Sequence, residues 1–70
     1  MDKLSERVPD DIAMPEAVAR AMGISDNALR QLRYRGGGPR FIRLGSRVRY
    51  RWSDVERWLD EHAVEPQETA

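Results

Sequence analysis

Asn27-Ala-Leu-Arg-Gln-Leu-Arg-Tyr-Arg-Gly-Gly-Gly-Pro-Arg-Phe-Ile-Arg-Leu-Gly-Ser-Arg-Val-Arg-Tyr-Arg51 contains eight arginines and no Asp or Glu. Its first part has the spacing of a short helix, its glycines make a turn, and its last part alternates as two short strands. The counter-charge lies on either side. Residues 1–26 hold three cations against six carboxylates, a net −3, and residues 52–70 hold one against six, a net −5. The formal zero at pH 7 therefore hides a +8 middle, and the chain is strongly dipolar. Dense arginine on a helix, a turn and a hairpin is the electrostatic footprint of a surface that takes phosphates. A solvated arginine face with no partner is the plainer alternative.

Inside the basic block, Leu29 and Leu32, with Ala28, are the predicted inward face of a helix. Asn27, Arg30, Gln31 and Tyr34 recur at i, i+3, i+4 and i+7, which puts four side chains on one exposed stripe. Asn, Arg and Gln are the types that make bidentate contacts with purine edges. Arg33 and Arg35 add charge to the same helix. Upstream, Pro15 suits a first helical turn and Glu16 complements the helix dipole. Ala17, Val18, Ala21 and Met22 are predicted to share one face, and Gly23 to close that helix as a left-handed cap. Ser25 is the predicted N-cap of the second helix, starting at Asp26. Two short helices joined through Gly23-Ile24-Ser25 outline a helix-turn-helix.

Downstream, Gly36-Gly37-Gly38-Pro39 ends the second helix. A phosphate loop is rejected there: neither Gly-x-Gly-x-x-Gly nor Gly-Lys-Ser/Thr is present. Ile42 and Leu44 alternate with Arg43, Gly45-Ser46 makes a two-residue turn, and Val48 and Tyr50 alternate with Arg47, Arg49 and Arg51. The expectation is a hairpin wing with an apolar face and an arginine face on the solvent side. Ser53-Asp54-Val55-Glu56 reads as a capping box, with Ser53 as N-cap of a third helix. Val55, Trp58 and Leu59 are its expected buried face, while Trp52 sits at the strand-to-helix junction. Residues 1–14 read as an irregular arm that tucks Val8 or Ile12 against the core. Residues 15–62 form the domain, and residues 63–70 are expected to be a disordered acidic tail.

Seventy residues make one small domain with a thin core. The chain has no cysteine and one histidine, His62, so no metal site and no cofactor are expected. The paired acids Asp10–Asp11 and Asp60–Glu61 are sequence neighbours on polar stretches, whereas catalytic pairs need separated roles in a pocket, so no enzyme is expected. No apolar run approaches the ~20 residues of a membrane span, and no signal-peptide pattern opens the chain. A cysteine-free small domain suits a reducing, cytoplasmic setting.

The order helix, tight turn, helix, two-stranded wing and capped helix resembles the MerR-like winged helix-turn-helix. The run Gly36 to Arg51, followed by Ser53-Asp-Val-Glu-Arg-Trp-Leu59, is similar to the small excisionase/AlpA branch of that superfamily over roughly Ile12 to Glu61. The resemblance implies a mainly α fold with a small β-hairpin wing, and a double-stranded DNA partner in a bacterium, plasmid or phage. It implies either an excisionase, which directs an integrase towards excision while bending DNA, or a small AlpA-type transcription regulator. By position it assigns Asn27, Arg30, Gln31 and Tyr34 to the major groove and Ser46, Arg47 and Arg49 to the wing contact with backbone or minor groove. Ser25, Arg33, Arg35 and Arg43 complete the expected DNA-binding set. Two positions depart from the family pattern: Met14 stands where a Ser or Thr cap is common, and Asp26 would repel a phosphate, with acceptance from a cytosine amino group or simple support of the helix dipole as its alternative roles.

The chain ends about eight residues after the third helix, so a monomer is expected in free solution. On DNA, several protomers are expected side by side, since one small module buries only ~600–1,000 Å². The acidic flanks would then meet a neighbour's basic middle. A protein-interaction module with an acidic partner is the alternative from another class.

Overall fold

A computed structural model of the chain describes residues 11–66. The elements run β1 (Ile12–Ala13), α1 (Pro15–Met22), α2 (Asp26–Tyr34), β2 (Ile42–Leu44), β3 (Arg47–Arg51) and α3 (Trp52–Glu61). The strands form one antiparallel sheet in the order β1-β3-β2. Three helices with a small hairpin sheet make the expected winged helix-turn-helix.

The turn between α1 and α2 forms for the anticipated reasons. Gly23 takes φ +76°, and the Ile24 N–H donates to the Ala19 carbonyl at 3.0 Å, closing α1 in a left-handed cap. Two residues later the Ser25 hydroxyl accepts from the Ala28 N–H at 3.0 Å and starts α2. Met14 does cap α1 weakly: its side chain makes no bond, and only its carbonyl accepts, from Ala17 and Val18. The core that fixes the two helices is Ala13, Val18, Ala19, Leu29, Tyr50 and Val55, with Met22, Ile24, Leu32, Phe41, Val48 and Trp52 packed around it.

Four expectations are corrected. In α1 the buried residues are Val18 and Ala19, while Ala17 and Ala21 are exposed. The last residues of the arm are not irregular but strand. Ala13 pairs with Tyr50 and shares its core-facing side, which leaves Ile12, opposite Arg51, outside. Val8 lies outside the described residues, as do residues 67–70 of the tail; residues 63–66 are exposed and carry no helix or strand.

The third correction concerns α3. It begins at Trp52 with Arg51 as N-cap, so Ser53 lies inside the first turn and caps nothing. Strand β3 runs straight into the helix, and the Trp52 N–H donates to the Asp11 carbonyl at 2.9 Å instead. Val55 is buried as expected, but its buried neighbour is Asp54, and Leu59 is exposed. Trp52, not Trp58, joins the core. Trp58 is half-buried, with its ring 4.1 Å from the His62 imidazole. The buried residues of the helix thus lie in its first turns.

The fourth correction concerns the wing. The register pairs Ile42 with Arg49, Arg43 with Val48 and Leu44 with Arg47. Directly opposed residues share a face, so the apolar positions of β2 lie with the arginines of β3. There is no separate arginine face. The two-residue turn dictates this phase: closing Leu44 against Arg47 puts residues of opposite parity together. Gly45 at φ +66° followed by Ser46 at negative φ is the pattern of a hairpin turn that takes glycine first.

Candidate nucleic-acid interface

Helix α2 buries Leu29 and half-buries Ala28, Leu32 and Arg33. The opposite stripe, Asn27, Arg30, Gln31 and Tyr34, is exposed, and Tyr34 keeps 84% of its surface open to solvent. These four make one exposed polar stripe along the helix. Ser25 is occupied by its own helix as the N-cap. Arg33 and Arg35 lie two residues apart at 100° each, so they leave α2 on opposite flanks.

The flank that carries Arg33 faces the wing. Its Nη1 donates to the Tyr50 hydroxyl at 3.1 Å, and its guanidinium lies 5.8 Å from the centre of the Phe41 ring. Arg43 reaches the same ring from β2, at 5.5 Å. Phe41 in turn meets Tyr50 with ring centres 6.2 Å apart and planes tilted by 54°. A recess of about 320 Å³ opens there, lined by Arg30, Arg33, Tyr34, Phe41, Arg43 and Val48. Among the described residues, neither Arg33 nor Arg43 has a carboxylate within ion-pair distance. Cations held over an aromatic ring without a counter-ion are poised for an incoming anion.

The other face of the hairpin carries Arg47 and Arg49 beside Ile42 and Leu44. Arg47 and Ser46 are exposed at the tip, and so is Leu44. Arg49 is half-buried, its Nη1 bent back onto the Val48 carbonyl at 2.8 Å. Arg43 is therefore parted from the two arginines with which it was grouped, and joins Arg30 and Arg33 instead. Arg35 stands on the far flank of α2, beside Ile24, Ala28, Gln31 and Leu32. Asp26 and Glu16 border a smaller depression with Pro15, Arg30 and Arg33.

Three residues escape a reading of residue types alone. Phe41 and Tyr50 hold the recess arginines, and the signal for them was the aromatic at either end of the hairpin. Asp54 is 7% exposed and lies 3.9 Å from both Arg40 and Arg51. It joins α3 to the segment before β2 and to the end of β3, so two of the eight arginines are directed to the scaffold. Only the periodicity of α3, with an acid one place from Val55, hinted at that.

Among the described residues no group of His, Asp and Glu could hold a metal ion, and no helix is long and apolar enough to cross a membrane. No curated protein is similar enough to match the chain. Residues 15–63 match the family described as Helix-turn-helix domain, well over half of the sequence. With that match laid over a capped two-helix turn and an exposed polar stripe, the chain belongs to the helix-turn-helix domain family, whose fold is that of a DNA-binding module.

Proposed function

We propose that the chain is a sequence-specific, DNA-bending accessory of an integrase, an excisionase. The observation that carries the DNA-binding part is the exposed stripe Asn27, Arg30, Gln31 and Tyr34 on the second helix of the turn. In helix-turn-helix modules that helix lies in the major groove, with base edges within reach of such side chains. The wing then reaches the neighbouring minor groove. A hairpin with Arg43 on one face and Arg47 and Arg49 on the other suits entry between two phosphate walls better than lying flat on one. Neutralising phosphates on one side of the duplex also makes bending towards the protein cheaper.

The excisionase part rests on the similarity of Gly36 to Leu59 to the excisionase/AlpA branch and on the size of the module. One such reader covers little DNA, so several protomers bind side by side. Contacts between them that are weak in solution become effective once the duplex aligns them. The acidic ends, at −3 and −5, provide counter-charge for a neighbour's basic middle. The test is a recombination assay with an integrase encoded beside the gene for this chain. Excision rising and integration falling on addition of the protein supports the proposal. Binding that overlaps a promoter and changes expression without any integrase would replace it with the regulator reading.

A further inference from the structure

We propose that the recess between α2 and the wing is a seat for one phosphodiester group of DNA, gripped by Arg33 and Arg43. The inference rests on the DNA-binding reading above. If α2 occupies a major groove and the wing the adjacent minor groove, the sugar-phosphate strand between those grooves must pass between the two elements. The recess lies there. Its lining holds Arg30, Arg33 and Arg43 with the Tyr34 side chain, and the described residues place no acid in it. At about 320 Å³ it sits at the small end of ligand pockets, enough for a phosphodiester and an adjoining sugar.

The arginines are held before any ligand arrives. Tyr50 is 1% exposed, so its hydroxyl is a fixed acceptor for the Arg33 Nη1. A guanidinium has five N–H donors, and this bond uses one. Each guanidinium also lies within 6 Å of the centre of the Phe41 ring, and both line the one recess. An anion in the recess gains charge-assisted hydrogen bonds from two elements at once. Arg33 and Arg43 thus act as binding residues and Tyr50 as a positioning residue. The seat reads no sequence; it fixes the register of α2 on the duplex, which base contacts then use.

The test has two arms on the full chain. In the first, a duplex selected from a random pool is rebuilt with a single neutral methylphosphonate at each backbone position in turn. The wild type should lose about tenfold in affinity at one position per bound protomer, the scale of one charge-assisted hydrogen-bonding contact. Arg43→Gln should bind about tenfold more weakly throughout and lose nothing further at that position. Arg57→Gln, which removes the same charge from α3, should keep the positional loss. In the second arm, arginine side-chain N–H signals are followed by NMR while thymidylyl-thymidine or inorganic phosphate is added. The Arg33 and Arg43 signals should move first. Duplex binding with no position coupled to Arg43 overturns the seat and leaves the DNA-binding reading standing. No duplex binding, with the Arg33 and Arg43 signals still moving, keeps a phosphate seat and removes the DNA reading. Failure of both arms removes both.

Discussion

The Arg33 guanidinium and the Tyr50 hydroxyl meet at 3.1 Å, and this is the one side-chain hydrogen bond in the described residues that ties α2 to the wing. Arg33 comes from the last turn of α2, and Tyr50 is anchored in the core from β3. The pair sets the angle at which helix and hairpin face a ligand. Two elements on separate segments can engage adjacent grooves together only if that angle is held.

Tyr50→Phe should therefore do two separable things. Losing a partly exposed bond to a charged donor costs about 1 kcal/mol of stability, read as a modest fall in thermal midpoint. Affinity for DNA should fall as well, equally on specific and random duplexes, since orientation and not base reading is lost. A stability loss with unchanged affinity would leave the bond purely structural.

Asp54 is buried between Arg40 and Arg51, at 3.9 Å from each. Both arginines remain partly solvated, so the cost of removing the carboxylate falls below that of breaking a dry ion pair. Asp54→Ala should lose about 1–3 kcal/mol in denaturant unfolding, including the loss of an acid from the first turn of α3. An effect below that range would mean solvent already compensates the contact.

The glycine run separates two backbone demands. Gly38 sits at φ +84°, and a Cβ there would come 3.4 Å from the Leu32 Cβ, whereas Gly37 has negative φ and only ordinary contacts. Gly38→Ala should destabilise by about 1 kcal/mol or more, and Gly37→Ala should be neutral or gain a few tenths. Equal melting shifts for the two would contradict this account of the turn.

At the wing tip, Arg47→Ala should weaken binding on every sequence and lower the salt slope by about 0.9, the share of one phosphate contact. An unchanged slope would place the outer face of the hairpin away from DNA.

The helix-turn-helix was legible because its signals are local: Gly23 for a left-handed cap, Ser25 for an N-cap, Leu29 against the Asn27–Tyr34 stripe. The wing was legible as a hairpin but not in its facing. Alternation along each strand was read correctly, yet which faces coincide depends on the pairing across the turn, and Leu44 opposite Arg47 inverts the expected grouping. The recess followed from that pairing, since it sets Arg43 opposite Val48, on the face that Tyr50 shares. The capping box failed because β3 passes into α3 without a link, so the helix starts at Trp52 and Ser53 falls inside its first turn instead of ahead of it. Val55 was identified from its spacing, but of the two half-buried tryptophans it is Trp52, which the spacing left undecided, and not Trp58 that packs on the core, because a tertiary surface and not period alone decides it.

Sequence-specific binding as proposed requires α2 to read base edges in duplex DNA. Its most direct measurement is the affinity of the wild type and of Arg30→Ala for a selected duplex and for a scrambled one, at a single physiological salt concentration. The wild type should prefer the selected duplex by about 10³-fold or more, and Arg30→Ala should lose about 1–3 kcal/mol on that duplex and less on the scrambled one. Equal affinity of the wild type for the two duplexes, or equal losses on both in the variant, would contradict it.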